Sequence, residues 1–175
     1  MRRTVRRGPL ERAARAALRM AGASMKRLES RMARTVAEAA ESAIASLEAG
    51  GTLYFCGNGG SAADAQHLAA ELSGRYLMDR PALAAISLTG NVSALTAIGN
   101  DYSFDDVFAR QLEGLGTPGD VLVAISTSGN SRNVLRAIET AHALGMVVIG
   151  LTGERGKRFA SLCDHALVTP HAATP

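Results

Sequence analysis

A histidine and a glutamate four residues apart, His67 and Glu71, close the segment Thr52 to Glu71, TLYFCGNGGSAADAQHLAAE. On a helix such a pair projects from one face a turn apart, where it could share a metal or a proton. An exposed ion pair worth only tenths of a kcal/mol is the plain alternative. Upstream, Thr52 to Cys56 is a short β-prone apolar run, Asn58, Gly59, Gly60 and Ser61 make a polar glycine-rich turn, and helix formers follow. A turn between the carboxyl end of a strand and the amino end of a helix is where α/β proteins bind anionic ligands. The pair is expected one to two helical turns beyond it, within reach of a sugar held there.

A second loop, Ser126-Thr127-Ser128-Gly129-Asn130-Ser131, follows the apolar run Val121 to Ile125 and opens another helical stretch. Four hydroxyls at one helix N-terminus suit a phosphate monoester, whose oxygens take the free N–H groups, the positive helix end and short hydroxyl donors. An ordinary N-cap accounts for one serine but poorly for the whole cluster. No Gly-Lys-Ser/Thr follows, which argues against a P-loop and a nucleoside triphosphate. The first turn departs from G-x-G-x-x-G and no acidic residue closes Ala84 to Leu88, which argues against a nicotinamide cofactor. A third polar element, Asn100-Asp101, is expected directly after a short helix at 91 to 98, where an Asx-turn or N-cap would explain it equally well.

The elements that must position these residues alternate along the chain. Apolar β-prone runs occur at Thr52 to Cys56, Ala84 to Leu88, Val121 to Ile125, Val147 to Leu151 and Ala166 to Thr169. Helical patterns separate them at 62 to 78, 91 to 98, 104 to 115, 131 to 144 and 156 to 162. This alternation predicts an α/β fold, a doubly wound parallel five-stranded sheet in three layers, Rossmann-like in the broad sense. Ahead of it, Arg12 to Glu48 reads as one long helix with an apolar stripe of Leu28, Met32, Val36, Ala40, Ile44 and Leu47. Residues 1–49 are thus a basic helical segment packing on the domain and on another subunit, and 50–175 the sheet domain.

Composition narrows the class. The 175 residues are 47% hydrophobic, enough for one core. Cys56 and Cys163 lack metal or redox spacing and read as reduced core thiols of a cytoplasmic protein. No apolar run approaches the roughly 18 residues of a membrane span. The net charge of +3 conceals a basic head, with eleven Arg and Lys before residue 36 against Glu11 and Glu29. Without interleaved aromatics, that head reads as a solvated helix face, not a nucleic-acid surface.

From Leu47 to Pro170 the motifs CGNGGSAADAQH, AELSGR, DRP, LTAIGNDY, GDVLVAISTSGNS and VIGLTG appear in order. In this combination the sequence resembles the sugar isomerase (SIS) domain family and, within it, the phosphoheptose isomerases. The resemblance implies isomerisation of sedoheptulose 7-phosphate to a glycero-manno-heptose 7-phosphate, in activated-heptose synthesis for surface polysaccharide such as lipopolysaccharide. It implies homotetramers with active sites between subunits. By position, Asn58, Gly59, Gly60 and Ser61 match the sugar-contacting loop, Ser126, Thr127, Ser128 and Ser131 the phosphate cradle, and Asn100 and Asp101 a substrate-contacting pair. Glu71 matches the catalytic carboxylate, joined in the catalytic group by His67, and His67 with Glu71 match two ligands of a zinc ion. The family pattern continues into a final helix whose Gln and His supply the remaining ligands and a second acid-base group. This sequence reaches Pro175 before them, so half a zinc site is expected here, with neither His165 nor His171 replacing the rest. The competing reading is a non-catalytic SIS protein of the kind that binds sugar phosphates or the bacterial replication initiator; the His67 and Glu71 pair argues against it.

Overall fold

The computed structural model describes residues 7–170; the first six residues of the basic head and His171 lie outside them. One long helix, α1 (Arg7–Glu48), leads into β1 (Leu53–Gly57), α2 (Gly60–Ser73), β2 (Ala85–Ser87), α3 (Val92–Asp101) and a 3₁₀ turn at Phe104–Asp106. Then come α4 (Ala109–Leu115), β3 (Val121–Ser126), α5 (Arg132–Ala143), β4 (Val147–Gly153), α6 (Lys157–Ala160) and β5 (His165–Thr169). The five strands are parallel in the order β2-β1-β3-β4-β5, which is the predicted doubly wound sheet. In this order the chain winds outward in both directions from the β1 and β3 pair, whose carboxyl ends flank the switch-point crevice.

Alternation along the strands divides the core. Tyr54 and Cys56 of β1 and Leu122 and Ala124 of β3 pack with Val134, Ala137, Ile138 and Ala141 of α5 on one face. Leu53, Phe55, Val121, Val123 and Ile125 pack with Ala65 and Ala69 of α2 and Ala39 of α1 on the other. Helices α2 and α5 therefore leave the crevice toward opposite faces. The edge opposite the crevice is tied by the buried carboxylate of Asp120, which accepts from the Thr52 N–H at 2.8 Å and from the Thr117 N–H and hydroxyl at 2.8 and 2.9 Å. Three donors satisfy a group whose burial would otherwise be costly.

Three expectations are corrected. The face α1 turns inward runs through Leu28, Met32, Thr35, Ala39, Ala43, Ser46 and Leu47, while Val36, Ala40 and Ile44 are exposed. Small residues bring the helix close to the domain, with the Ser46 hydroxyl donating to the Gly119 carbonyl at 2.7 Å. Val36 and Ile44 of the predicted stripe stand on the neighbouring face. Helix α2 ends at Ser73, five residues earlier than predicted, because Gly74 caps it. Asn100 and Asp101 lie within the last turn of α3, not after it; the cap of the next turn is Ser103, whose hydroxyl accepts from the Asp105 N–H at 3.1 Å.

Candidate active site

Strand β3 delivers the serine loop to the crevice, and glycine geometry lets it close. Gly129 has φ +68°, and a Cβ there would meet Gly156 Cα at 2.6 Å and Phe159 Cβ at 2.9 Å, so a side chain is excluded twice over. Ser126 is buried and its hydroxyl works inside the loop, accepting from the Gly129 N–H at 3.2 Å and donating to Ser131 Oγ at 3.1 Å. Its carbonyl accepts from the buried Thr152 hydroxyl at 2.7 Å. Ser128 Oγ accepts from the Asn130 N–H at 3.2 Å, leaving its own proton free to donate outward. Thr127 and Ser128 are exposed and Ser131 half-buried.

The helix end above these hydroxyls is open. Val134 and Leu135 N–H groups bond the Ser131 carbonyl at 3.1 and 3.0 Å, but no side chain of the N-cap Ser131 closes the first turn. The earlier amides of α5 are among the four that a helix leaves without an internal partner. With the outward hydroxyls they form a neutral cradle for a doubly charged group.

Beside it, the loop after β1 turns at Gly57, where a Cβ would lie 2.7 Å from Ser61 Cβ and 2.8 Å from its carbonyl oxygen. Gly59 takes φ +58°. Ser61 donates its N–H to the Asn58 carbonyl at 3.1 Å and so begins α2. The Asn58 side chain faces Asn133 across the crevice, Nδ2 donating to Asn133 Oδ1 at 2.8 Å and Oδ1 accepting from Asn133 Nδ2 at 2.9 Å. Asn133 is a site residue that sequence reasoning missed; its partner is 75 positions away, and only its place two residues past a serine cluster could have drawn attention to it.

His67 and Glu71 do share a face of α2, with Nε2 and Oε1 3.8 Å apart, and their side chains are 71% and 34% exposed. They border a cavity of about 440 Å³ with Leu53, Phe55 and Val123 of the sheet and Tyr76 of the next loop. No residue of the serine loop or the glycine turn lines that cavity. Eleven residues of helix at about 1.5 Å each separate Gly60 from Glu71, roughly 16 Å along the axis. His67 thus sits about two turns and Glu71 about three turns beyond the glycine turn instead of one to two, and a single chain presents a cradle and a carboxylate in separate places. Asn100 and Asp101 are exposed and bonded to each other, Asn100 Nδ2 to Asp101 Oδ1 at 2.8 Å.

Among the described residues, no group of three or more His, Cys, Asp or Glu side chains could hold a metal ion. His165 instead bonds Ser42 Oγ of α1 through Nε2 at 2.8 Å. Both cysteines are free thiols, Cys56 fully buried. No described helix is long and apolar enough to cross a membrane.

The chain is similar to known proteins in sequence and in fold. Residues 18–153 match the SIS domain family. A phosphoheptose isomerase from Rhodospirillum rubrum is 61% identical over 140 residues, covering 80% of this chain and 74% of that protein. The structure of phosphoheptose isomerase GmhA from Neisseria gonorrhoeae superposes with a TM-score of 0.88 at 45% identity, over 94% of this chain and 88% of that one. A phosphoheptose isomerase from Francisella tularensis gives the same TM-score at 37% identity, over 92% and 86%. On its fold, its two crevice loops and this identity, the chain belongs to the SIS domain family and, within it, to the phosphoheptose isomerases.

Proposed function

We propose that the chain is an aldose–ketose isomerase converting sedoheptulose 7-phosphate to D-glycero-D-manno-heptose 7-phosphate, in activated-heptose synthesis for surface polysaccharide in the cytoplasm. The observation that carries this reading is the open first turn of α5 ringed by Thr127, Ser128 and Ser131, together with family membership. The cradle holds the phosphate; Asn58 with Gly59, Gly60 and Ser61, and Asn100 with Asp101, meet the sugar. A carboxylate then does the chemistry. Glu71 takes a proton from C1 beside the C2 carbonyl, the electron pair forms the C1–C2 double bond of an enediol, and the O1 proton passes to O2. Return of the carried proton to C2 and re-formation of the carbonyl at C1 complete the exchange without net oxidation. Positioned proton transfer of this kind contributes about 10²–10⁴-fold. His67, one helical turn from Glu71, is placed to assist proton movement between the oxygens.

The described residues do not by themselves fit a catalytic zinc. Such a site takes three protein donors at about 2.0–2.2 Å, and at α2 the described residues bring together two, His67 and Glu71. Zinc completed by donors outside the described residues is part of the proposal, and no step above is routed through it.

The roughly 16 Å between glycine turn and Glu71 exceeds the reach of one heptose phosphate's reacting end, which supports an oligomer, a homotetramer in this reading, whose sites join the cradle of one chain to the carboxylate of another. A non-catalytic initiator-binding or sugar-phosphate-binding role is disfavoured by the His67 and Glu71 pair and by the identity to isomerases. The test is Glu71→Gln assayed on sedoheptulose 7-phosphate with and without added zinc. Turnover falls by at least about 10²-fold while inhibition by inorganic phosphate persists; unaltered turnover would remove Glu71 from the mechanism.

A further inference from the structure

We infer that Asn133 is a positioning residue: with Asn58 it forms an amide brace that fixes the sugar-side loop against the phosphate cradle across the switch-point crevice. This inference rests on the proposed isomerase reading for its kinetic consequence, though not for its geometry.

The two side chains exchange hydrogen bonds in both directions, at 2.8 and 2.9 Å. Asn133 Oδ1 also accepts from the Val134 N–H at 2.9 Å, which fixes the end of the amide that is oxygen. That oxygen has both lone pairs engaged, and Asn133 is only 2% exposed. Asn58 retains one N–H and one lone pair to face the crevice. Its amide plane is thereby set by Asn133 before any ligand arrives.

The place of the brace gives it a role beyond filling buried valences. Strands β1 and β3 are hydrogen-bonded neighbours as far as Gly57 and Ile125, but beyond those residues α2 and α5 depart to opposite faces. Nothing in the sheet then holds the loop tips at a set distance. Among the described residues, the Asn58 and Asn133 bonds are the side-chain hydrogen bonds that join residues 57–61 to residues 126–133. Phosphate is anchored on the α5 side and the sugar on the β1 side, so the width of this gap sets where the reacting carbons stand relative to the anchored phosphate. A displacement of about 1 Å at a reacting centre can cost 10²-fold in rate.

The experiment measures Asn133→Ala, Asn58→Ala and the double variant with sedoheptulose 7-phosphate, and inorganic phosphate as a competitive inhibitor. Asn133→Ala is expected to lower kcat by about 10- to 100-fold while the phosphate inhibition constant stays within about threefold, since the cradle itself is intact. The double variant should be no worse than the weaker of the two singles, because one brace is broken once. Wild-type kcat in Asn133→Ala, or losses that multiply in the double variant, overturns the inference. If Asn133→Ala fails to fold, Asn133→Asp keeps the acceptor for Asn58 and Val134 but turns a charged carboxylate oxygen toward Asn58 Oδ1 in place of the returned N–H; a kcat loss with faster amide exchange at residues 58–62 is expected, and wild-type values of both overturn the brace. A wild-type chain inert toward sedoheptulose 7-phosphate would sink the assigned reaction instead. The brace is then read by exchange alone, about tenfold faster at 58–62 in the folded variant, with equal rates counting against it.

Discussion

The thiol of Cys56 sits fully buried on β1, directly before the crevice loop. Loss of water pushes its pKa from the ordinary 9.0 up to about 12, against a partial opposing effect from a backbone hydrogen bond at Ile125. The folded chain therefore keeps a proton that the unfolded chain releases. The stability this contributes is complete below about pH 9 and declines as pH rises toward 12. Thermal midpoints recorded from about pH 8 to pH 11 should fall more steeply for the wild type than for Cys56→Ala. Cys163, raised to about 12 first by burial and then by Asp164, leaves a residual slope of the same sign; parallel slopes for the two proteins would exclude Cys56 as a contributor. At this scale the sequence was legible wherever chemistry repeats locally: the hydroxyl cluster and the His67 and Glu71 spacing both stand on the elements expected. It was illegible wherever a role depends on a distant partner. Nothing in Ser126 says that its hydroxyl turns inward to Gly129 and Ser131, and nothing in Asn133 says that it faces Asn58.

Helix α2 carries the proposed base in its last turn, so its carboxyl end must hold still. Arg80 supplies the hold from beyond the loop: Nη2 donates to the Glu71 carbonyl at 2.9 Å and Nη1 to those of Leu72 and Pro81, each at 2.9 Å. A guanidinium at a helix C-terminus satisfies orphan carbonyls and opposes the negative end of the dipole. Hydrogen bonds to a charged group contribute about 1.5–3 kcal/mol each when buried; Arg80 is only half-buried, so its loss is expected to cost about 1–2 kcal/mol after discounting for solvent. Arg80→Ala should lower the urea midpoint accordingly and speed amide exchange across 74–79, with Arg80→Lys recovering part of the loss through its one ammonium nitrogen. A midpoint equal to the wild type would show that the loop holds α2 without it. Strands and crossover helices were readable because a buried parallel strand is a continuous apolar run and its neighbours are periodic. The inward face of α1 was misread where it is made of Ala39, Ala43 and Ser46, residues whose smallness hides them from a hydrophobic pattern.

At the scale of the whole molecule, one chain holds a cradle on the crevice and a carboxylate on another surface, and α1 leaves Leu18, Met25, Val36 and Ile44 exposed. Apolar side chains on a helix at the periphery of the domain gain from burial against a second copy. If assembly also joins the cradle of one copy to the Glu71 of another, activity becomes a property of pairs and can be rebuilt from two defective chains. Glu71→Gln keeps its cradle. Ser128→Asp keeps its carboxylate but sets a negative charge in the cradle proposed for the phosphate. Each alone is expected to be inactive on sedoheptulose 7-phosphate. Mixed in equal amounts and allowed to exchange subunits, they form sites at random, and a site that takes its cradle from the first and its carboxylate from the second is whole. That combination arises in roughly a quarter of sites when pairing is random, so the mixture should regain roughly a quarter of wild-type activity. Sites confined within one chain would stay dead at every mixing ratio, because every chain carries one lesion, and a mixture without activity despite demonstrated subunit exchange would return Glu71 and the serine loop to a common chain.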